Sequence, residues 1–451
     1  MKINVMNIEK LKKILEDNKK DAQYYAILYD NSEYNIRFSD SKIISNRVSS
    51  NSFVEITSIL DKKVGVSSTT DLSEESVIKC IKKSYSIALE AEENEEYTPL
   101  IEDEKYDDST ENSLNFEKEV SEIEDYLHLI FNKDKRIKIF GYITGEISNI
   151  SIINSVNLLK RTTIPRFSYS MNIKNDKLTR SVWRSDISSV SNIDLLKNIY
   201  TQLLKDYKYT SIKKDLDPGR YKVVLSPSAL GDLLMYMSFF LLAKDADEKR
   251  SPFKDLLGKK VFPEYINLYT DPFIKDIKSI PFLIFDTSGV NPIFDIGQSL
   301  SKQNIIENGV VKGLISTRYY DQKMKYKNNL PTVSNLILEG SDKEYLDFIK
   351  DIDNAIYINN LWYIRSVDPI TGLLTGLTRD GVYKIEKGRF VYSINNFRFN
   401  QSPIKVLENI TSFSKSYLST PREFGDSFLS SVICPYCVVE DFNLSSVSEA
   451  I

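Results

Sequence analysis

At the start of the chain, apolar positions follow two periods in turn. Spacing of three and four residues predicts a helix over 8–18, and a Tyr- and Ile-rich run predicts a strand over 21–29. Further short strands are expected at 34–38, 42–48, 52–60 and 63–68, because clusters of Asp, Ser and Asn interrupt the apolar runs between them. Asp71-Leu72-Ser73-Glu74-Glu75 then opens a helix whose stripe runs Val77, Ile81, Tyr85 and Ala88. A second cycle places a helix over 116–131, strands at 136–143, 147–156 and 167–173, and a closing helix over 193–207. After the turn Asp217-Pro218-Gly219, a strand over 221–225 runs into Ser226-Pro227. Serine suits a helix N-cap and proline its first turn, so a helix is expected over 228–244. From Phe282 onward, apolar segments alternate with turns such as Glu307-Asn308-Gly309, Arg379-Asp380-Gly381 and Lys387-Gly388, the spacing of an antiparallel, β-rich region.

The fold class expected is therefore α+β: N-terminal α/β units with mixed or antiparallel sheets, followed by a β-rich C-terminal domain carrying a central helix. Between Glu90 and Asn112 the chain is dense in Glu and Asp, which reads as a solvated connector and not as packed structure. The domains expected are 1–93, an acidic connector over 94–115, a middle unit over 116–213 and a C-terminal domain over 214–451. A chain of 451 residues exceeds the roughly 250–300 that one hydrophobic core serves, which agrees with such a division.

Charge narrows the partners. With 59 basic against 63 acidic side chains the net charge is -4, so the general attraction to phosphate on which duplex binders rely is missing, and no nucleic-acid partner is expected. The N-terminal residues lack the apolar core of a secretory signal, and the most apolar run, 233–243, is short of the roughly 20 residues that cross a bilayer. A cytoplasmic chain with no membrane partner is expected, and three cysteines, too few for a disulfide framework, agree with a reducing compartment.

Candidate chemistry is mostly excluded. The single histidine, His128, lies in the apolar run Tyr126-Leu127-His128-Leu129-Ile130, where a packing role is expected. Cys434-Pro435-Tyr436-Cys437 has the spacing of a redox dithiol, but its β-branched flanks favour small buried residues in a final strand over a helix N-terminus that would activate a thiol. With so few soft donors a zinc site within this chain is not expected. No phosphate loop, GxGxxG or GxSxG is present.

The third domain carries a resemblance. Tyr221-Lys222-Val223-Val224-Leu225-Ser226-Pro227, Ser251-Pro252-Phe253, Leu257-Gly258-Lys259-Lys260-Val261 and Tyr269-Thr270-Asp271-Pro272 follow one another in the order found in the TldD/PmbA family. So do Ile305-Ile306-Glu307-Asn308-Gly309-Val310-Val311-Lys312-Gly313, Ser334-Asn335-Leu336, Thr371-Gly372 and Ile385-Glu386-Lys387-Gly388. The resemblance implies a peptidase-related fold of one of two subunit types. TldD-type chains carry His-Glu-x-x-x-His on the central helix and bind zinc, whereas TldE (PmbA) chains lack it and pair with TldD. Counted from Leu233-Leu234, the corresponding residues here are Met235-Tyr236-Met237-Ser238-Phe239-Phe240, so Met235 and Phe240 stand in place of the histidines and Tyr236 in place of the glutamate. No catalytic or metal-binding residue and no cofactor are then expected in this chain. Ser288, in Phe285-Asp286-Thr287-Ser288-Gly289, replaces an acid often found in the family, and no cysteine stands just before Cys434 where TldD-type chains have a further ligand.

The resemblance thus implies a TldE-like subunit of a heterodimeric metallopeptidase, its zinc held by a TldD-like partner and its substrate an unfolded or short peptide. The alternatives are a homodimeric peptide-binding protein without peptidase activity, or a regulator of a nucleic-acid enzyme such as DNA gyrase.

Overall fold

Strict alternation along long strands organises the N-terminal half of the computed structural model, which describes residues 6–18, 20–110, 114–177, 179–284, 293–325, 330–424 and 431–449. Among these residues, seven strands form the first sheet. Lys63–Thr69, Lys42–Leu60, Gln23–Ser39, Ile137–Asn154 and Leu159–Asn175 lie side by side, all antiparallel. The outer edge of the last is shared by Lys105–Asp108, which runs parallel to it, and Ser181–Ser188, which runs antiparallel. Period-two alternation sorts the side chains between the two faces. Tyr24, Ala26, Tyr34, Ile36 and Phe38 pack towards the helices Ile8–Asn18, Glu74–Glu90, Phe116–Phe131 and Ile193–Tyr209. Tyr25, Ile27, Ile150 and Ile152 face Ile280, Phe282 and Phe294 of the C-terminal half.

Several expected boundaries move. The strands expected at 21–29 and 34–38 are one strand, Gln23–Ser39, and 42–48 and 52–60 merge into Lys42–Leu60. The polar residues between them stay in register because they satisfy one another across the hairpin: Ser32 with Ser50 at 3.1 Å, Ser52 with Asp30 at 2.6 Å, and Ser49 with Glu33 at 3.0 Å. The first and second units therefore share a single sheet, joined where Tyr25–Phe38 pairs with Gly141–Asn154.

The acidic connector is also more ordered than its composition implies. Leu100 and Ile101 are buried and Lys105–Asp108 enters the sheet. Its carboxylates are bound by bases from elsewhere: Glu96 by Lys244 at 2.8 Å, Asp107 by Arg161 at 3.3 Å, and Glu104 by the buried Lys160. His128 is corrected too. It is exposed, because the buried stripe of its helix runs through Val120, Ile123, Leu127 and Ile130 and leaves His128 and Leu129 on the solvent side.

The C-terminal half holds the second sheet, twelve strands among the described residues, assembled around Val432–Ser448. That strand pairs antiparallel with Gly219–Leu225, Asn396–Gln401 and Ile410–Ser419, and parallel with Leu336–Leu338. The long hairpin of Asn354–Asp368 and Leu373–Glu386 extends it through a parallel pairing with Gly219–Leu225. The sheet is thus mixed, where an antiparallel one was expected. The predicted central helix is shorter: Pro227–Ser238 continues as a 3-10 turn over Phe239–Leu241, Leu242 is extended, and a short helix follows at Ala243–Asp247. Among the described residues no helix is long and apolar enough to cross a membrane.

Candidate functional site: the central helix

Ser226 and Pro227 start the central helix as their chemistry predicts. The Ser226 hydroxyl accepts the Ala229 N–H at 3.2 Å and itself donates to the Asn359 carbonyl, fixing the helix to the neighbouring strand. Every residue of Pro227–Ser238 except Ser228 and Tyr236 is buried. Leu230, Leu233, Leu234, Met237, Phe240 and Leu241 all enter the largest apolar cluster, as the breadth of the apolar surface predicts.

The three singled-out positions lie on consecutive turns. Met235 and Phe240 are each 8% exposed and pack in that same cluster. Tyr236 is half-buried, donates its hydroxyl to the Ile364 carbonyl at 2.8 Å, and lies against Phe239 and Phe424 with ring centroids 6.1 and 5.1 Å away. Burial, and after it the nearby Glu423 carboxylate, raises the Tyr236 pKa, so the phenol stays protonated. A thioether, a phenyl ring and a neutral phenol already engaged as a donor do not make a zinc site, and none of them is a general base near neutrality. Among the described residues no group of three or more His, Cys, Asp or Glu is placed to hold a metal ion.

The helix does carry one acid that the sequence reading passed over. Asp232 is completely buried; one carboxyl oxygen accepts the Glu423 N–H at 2.9 Å and the other has no partner among the described residues. Burial drives its pKa well above the usual carboxylate range, which keeps it neutral. An isolated Asp within Leu230-Gly231-Asp232-Leu233-Leu234 was the available signal.

Asp232 belongs to a polar clasp around residues 420–424. Glu423 accepts the Tyr363 N–H at 2.7 Å and pairs with Arg365 at 3.0 Å. Arg422 pairs with the buried Asp380 and lies over the rings of Trp183 and Trp362, 4.8 and 5.3 Å from their centroids. Burial pushes the Asp380 carboxyl up, but Arg422, the Ser181 hydroxyl and Arg379 together outweigh it and hold the carboxyl below its ordinary range.

The two cysteines of the last strand are buried, as expected. The Cys434 thiol donates to the Pro227 carbonyl at 3.3 Å, and burial raises both thiols, so neither is a nucleophile. Ser288 lies outside the described residues, as does most of the stretch before Cys434.

A known family model, the PmbA/TldA metallopeptidase C-terminal domain, matches residues 218–446, and its domain 1 matches 25–88. The chain belongs to the PmbA/TldD family. Within that family it is similar to metalloprotease MJ0996 of Methanocaldococcus jannaschii, at 22% identity over 443 residues covering 92% of this chain and 93% of the relative. Its fold is that of TldE from Thermococcus kodakarensis, with a TM-score of 0.82, 18% identity, and coverage of 96% and 99% of the two chains. A Bacteroides thetaiotaomicron protein described as a candidate modulator of DNA gyrase superposes with a TM-score of 0.78 at 18% identity, covering 98% and 100%.

Proposed function

We propose that this chain is the TldE-like, non-metal-binding subunit of a heterodimeric zinc metallopeptidase that degrades or matures unfolded or short peptides. The observation that carries the reading is the pairing of a fold shared with TldE over nearly the whole chain with Met235, Tyr236 and Phe240 on the largely buried central helix and the turn that follows it. In this reading a zinc ion held by the partner would supply Lewis-acid and water-activating chemistry, while this chain would enclose the peptide and present backbone groups to it.

Co-expression with a family member that carries His-Glu-x-x-x-His tests it. The expected result is a stable pair, zinc carried by the partner, and peptide hydrolysis abolished by a chelator. Hydrolysis by this chain alone, unaffected by chelators, overturns it. A regulator acting by direct contact with DNA is disfavoured by the net charge of -4.

A further inference from the structure

At the N-terminal end of the central helix, away from Met235 by about 12 Å along the axis at 1.5 Å per residue, the two sheets leave a cleft of about 170 Å³. One wall is the strand Ser181–Ser188, whose only strand partner among the described residues is Leu159–Asn175. The Trp183 carbonyl turns away from that neighbour and accepts Asn359 Nδ2 at 3.0 Å. By the alternation of an antiparallel ladder, the N–H and C=O of Ser185 point the same way, towards the cleft that Ser185 lines. The opposite wall is formed by Ser419 and Tyr417 of the strand Ile410–Ser419, with Tyr436 beside them.

Two further residues line the cleft. Asn360 is fully buried and its Nδ2 donates to the Asp380 carbonyl at 3.4 Å, which fixes the orientation of the amide; Oδ1 is left with no partner among the described residues. Ser228 is the second residue of the helix. Pro227 has no N–H and Ala229 is capped by Ser226, so the Ser228 N–H is the first-turn donor left open to the cleft. An unmet acceptor and an open donor on two residues that line one cleft match a group that both donates and accepts. The charges lining the cleft exclude a carboxylate: Arg184 is neutralised by Asp206 at 2.6 Å, and Asp186 would repel an anion.

We propose that this cleft binds a neutral backbone amide of an extended peptide, its N–H donating to Asn360 Oδ1 and its C=O accepting from the Ser228 N–H, with the open edge at Ser185 continuing the pairing. The proposal rests on the peptide-handling reading above and adds a peptide subsite on this subunit. The experiment is titration of N-acetyl-tetraalanine amide into the full chain by calorimetry, using wild type, Asn360→Leu and Ser419→Trp. The second variant fills the cleft and leaves Asn360 in place, so a folding defect at Asn360 does not decide the result; thermal unfolding monitors both.

The expected result is saturable binding by wild type, weakened at least tenfold in both variants, and a raised KM with little change in kcat when the variants are assembled with the zinc subunit. Absence of binding by wild type, or equal binding by wild type and the Ser419→Trp variant, overturns the proposal. Failure to assemble with any zinc-bearing partner, with tetraalanine binding intact, removes the metallopeptidase reading and leaves the cleft as a peptide site.

Discussion

The helices Phe116–Phe131 and Pro227–Ser238 begin alike, with a side-chain oxygen of Asn115 or Ser226 accepting the N–H three residues on, yet they meet opposite surroundings. The first shows its apolar residues to the core at helical spacing and its polar ones to water. The second is enclosed almost all round, so that even Asp232 and Ser238 look inward for partners: Asp232 accepts the Glu423 N–H through one oxygen, and Ser238 Oγ donates to the Met235 carbonyl at 2.7 Å. In an amphipathic helix, place in the repeat decides exposure. In an enclosed helix almost every position is interior, and what a residue does is decided by its own chemistry.

Substitutions test that contrast, beginning with the largest effect. Arg422→Ala removes the main counter-charge of the buried Asp380 and is expected to cost about 3–5 kcal/mol in urea unfolding. Leu234→Ala, on the enclosed helix, is expected to lower stability by about 3.5 kcal/mol, since a cavity opens that the surrounding strands cannot fill.

A smaller effect of comparable kind concerns Asp186, whose pKa burial raises from 3.8 to about 6, against a weaker opposing influence from the Ile187 N–H and Arg184. Because the folded state holds this proton more tightly than the unfolded chain, the associated stability is full below pH 3.8 and is lost as pH rises to about 6. The loss is on the order of 3 kcal/mol, and a pH series of unfolding midpoints for Asp186→Asn should lack it. Asp380 has the opposite sign: its carboxyl is held low, so what it contributes is lost as pH falls. At the small end, Leu129→Ala on the exposed side of the first helix is expected to change stability by less than about 0.5 kcal/mol. A loss there as large as that of Leu234→Ala would erase the distinction between the two helices.

How much of this was legible beforehand follows the same division. Helix starts at Ser73 and Ser226 were readable because capping is local chemistry, and the central helix was readable as core from its composition. The long strands were not, since the breaks at Asp30–Glu33 and Ser49–Asn51 resemble turns until their partners across the hairpin are known. The acidic connector was misread for a related reason: Lys160, Arg161 and Lys244, which hold its carboxylates, are distant in sequence. Of the candidate site, Met235, Tyr236 and Phe240 were reached by counting along a family pattern. Arg422, Glu423 and Asn360 are set by tertiary pairing that no local pattern encodes.

The strand Val432–Ser448 has a further consequence, in the timing of synthesis. Val223 pairs with Val439, so the strand leading into the central helix waits for a partner translated roughly 200 residues later, an interval on the order of ten seconds or more at 5–20 residues per second. Throughout that wait the apolar surface of the helix and four strands of the eventual sheet have no central member to close on. Nascent chains halted before Val432 are therefore the species expected to recruit chaperones or aggregate, whereas the N-terminal sheet, whose strands all lie before Ile193, has every strand it needs much earlier.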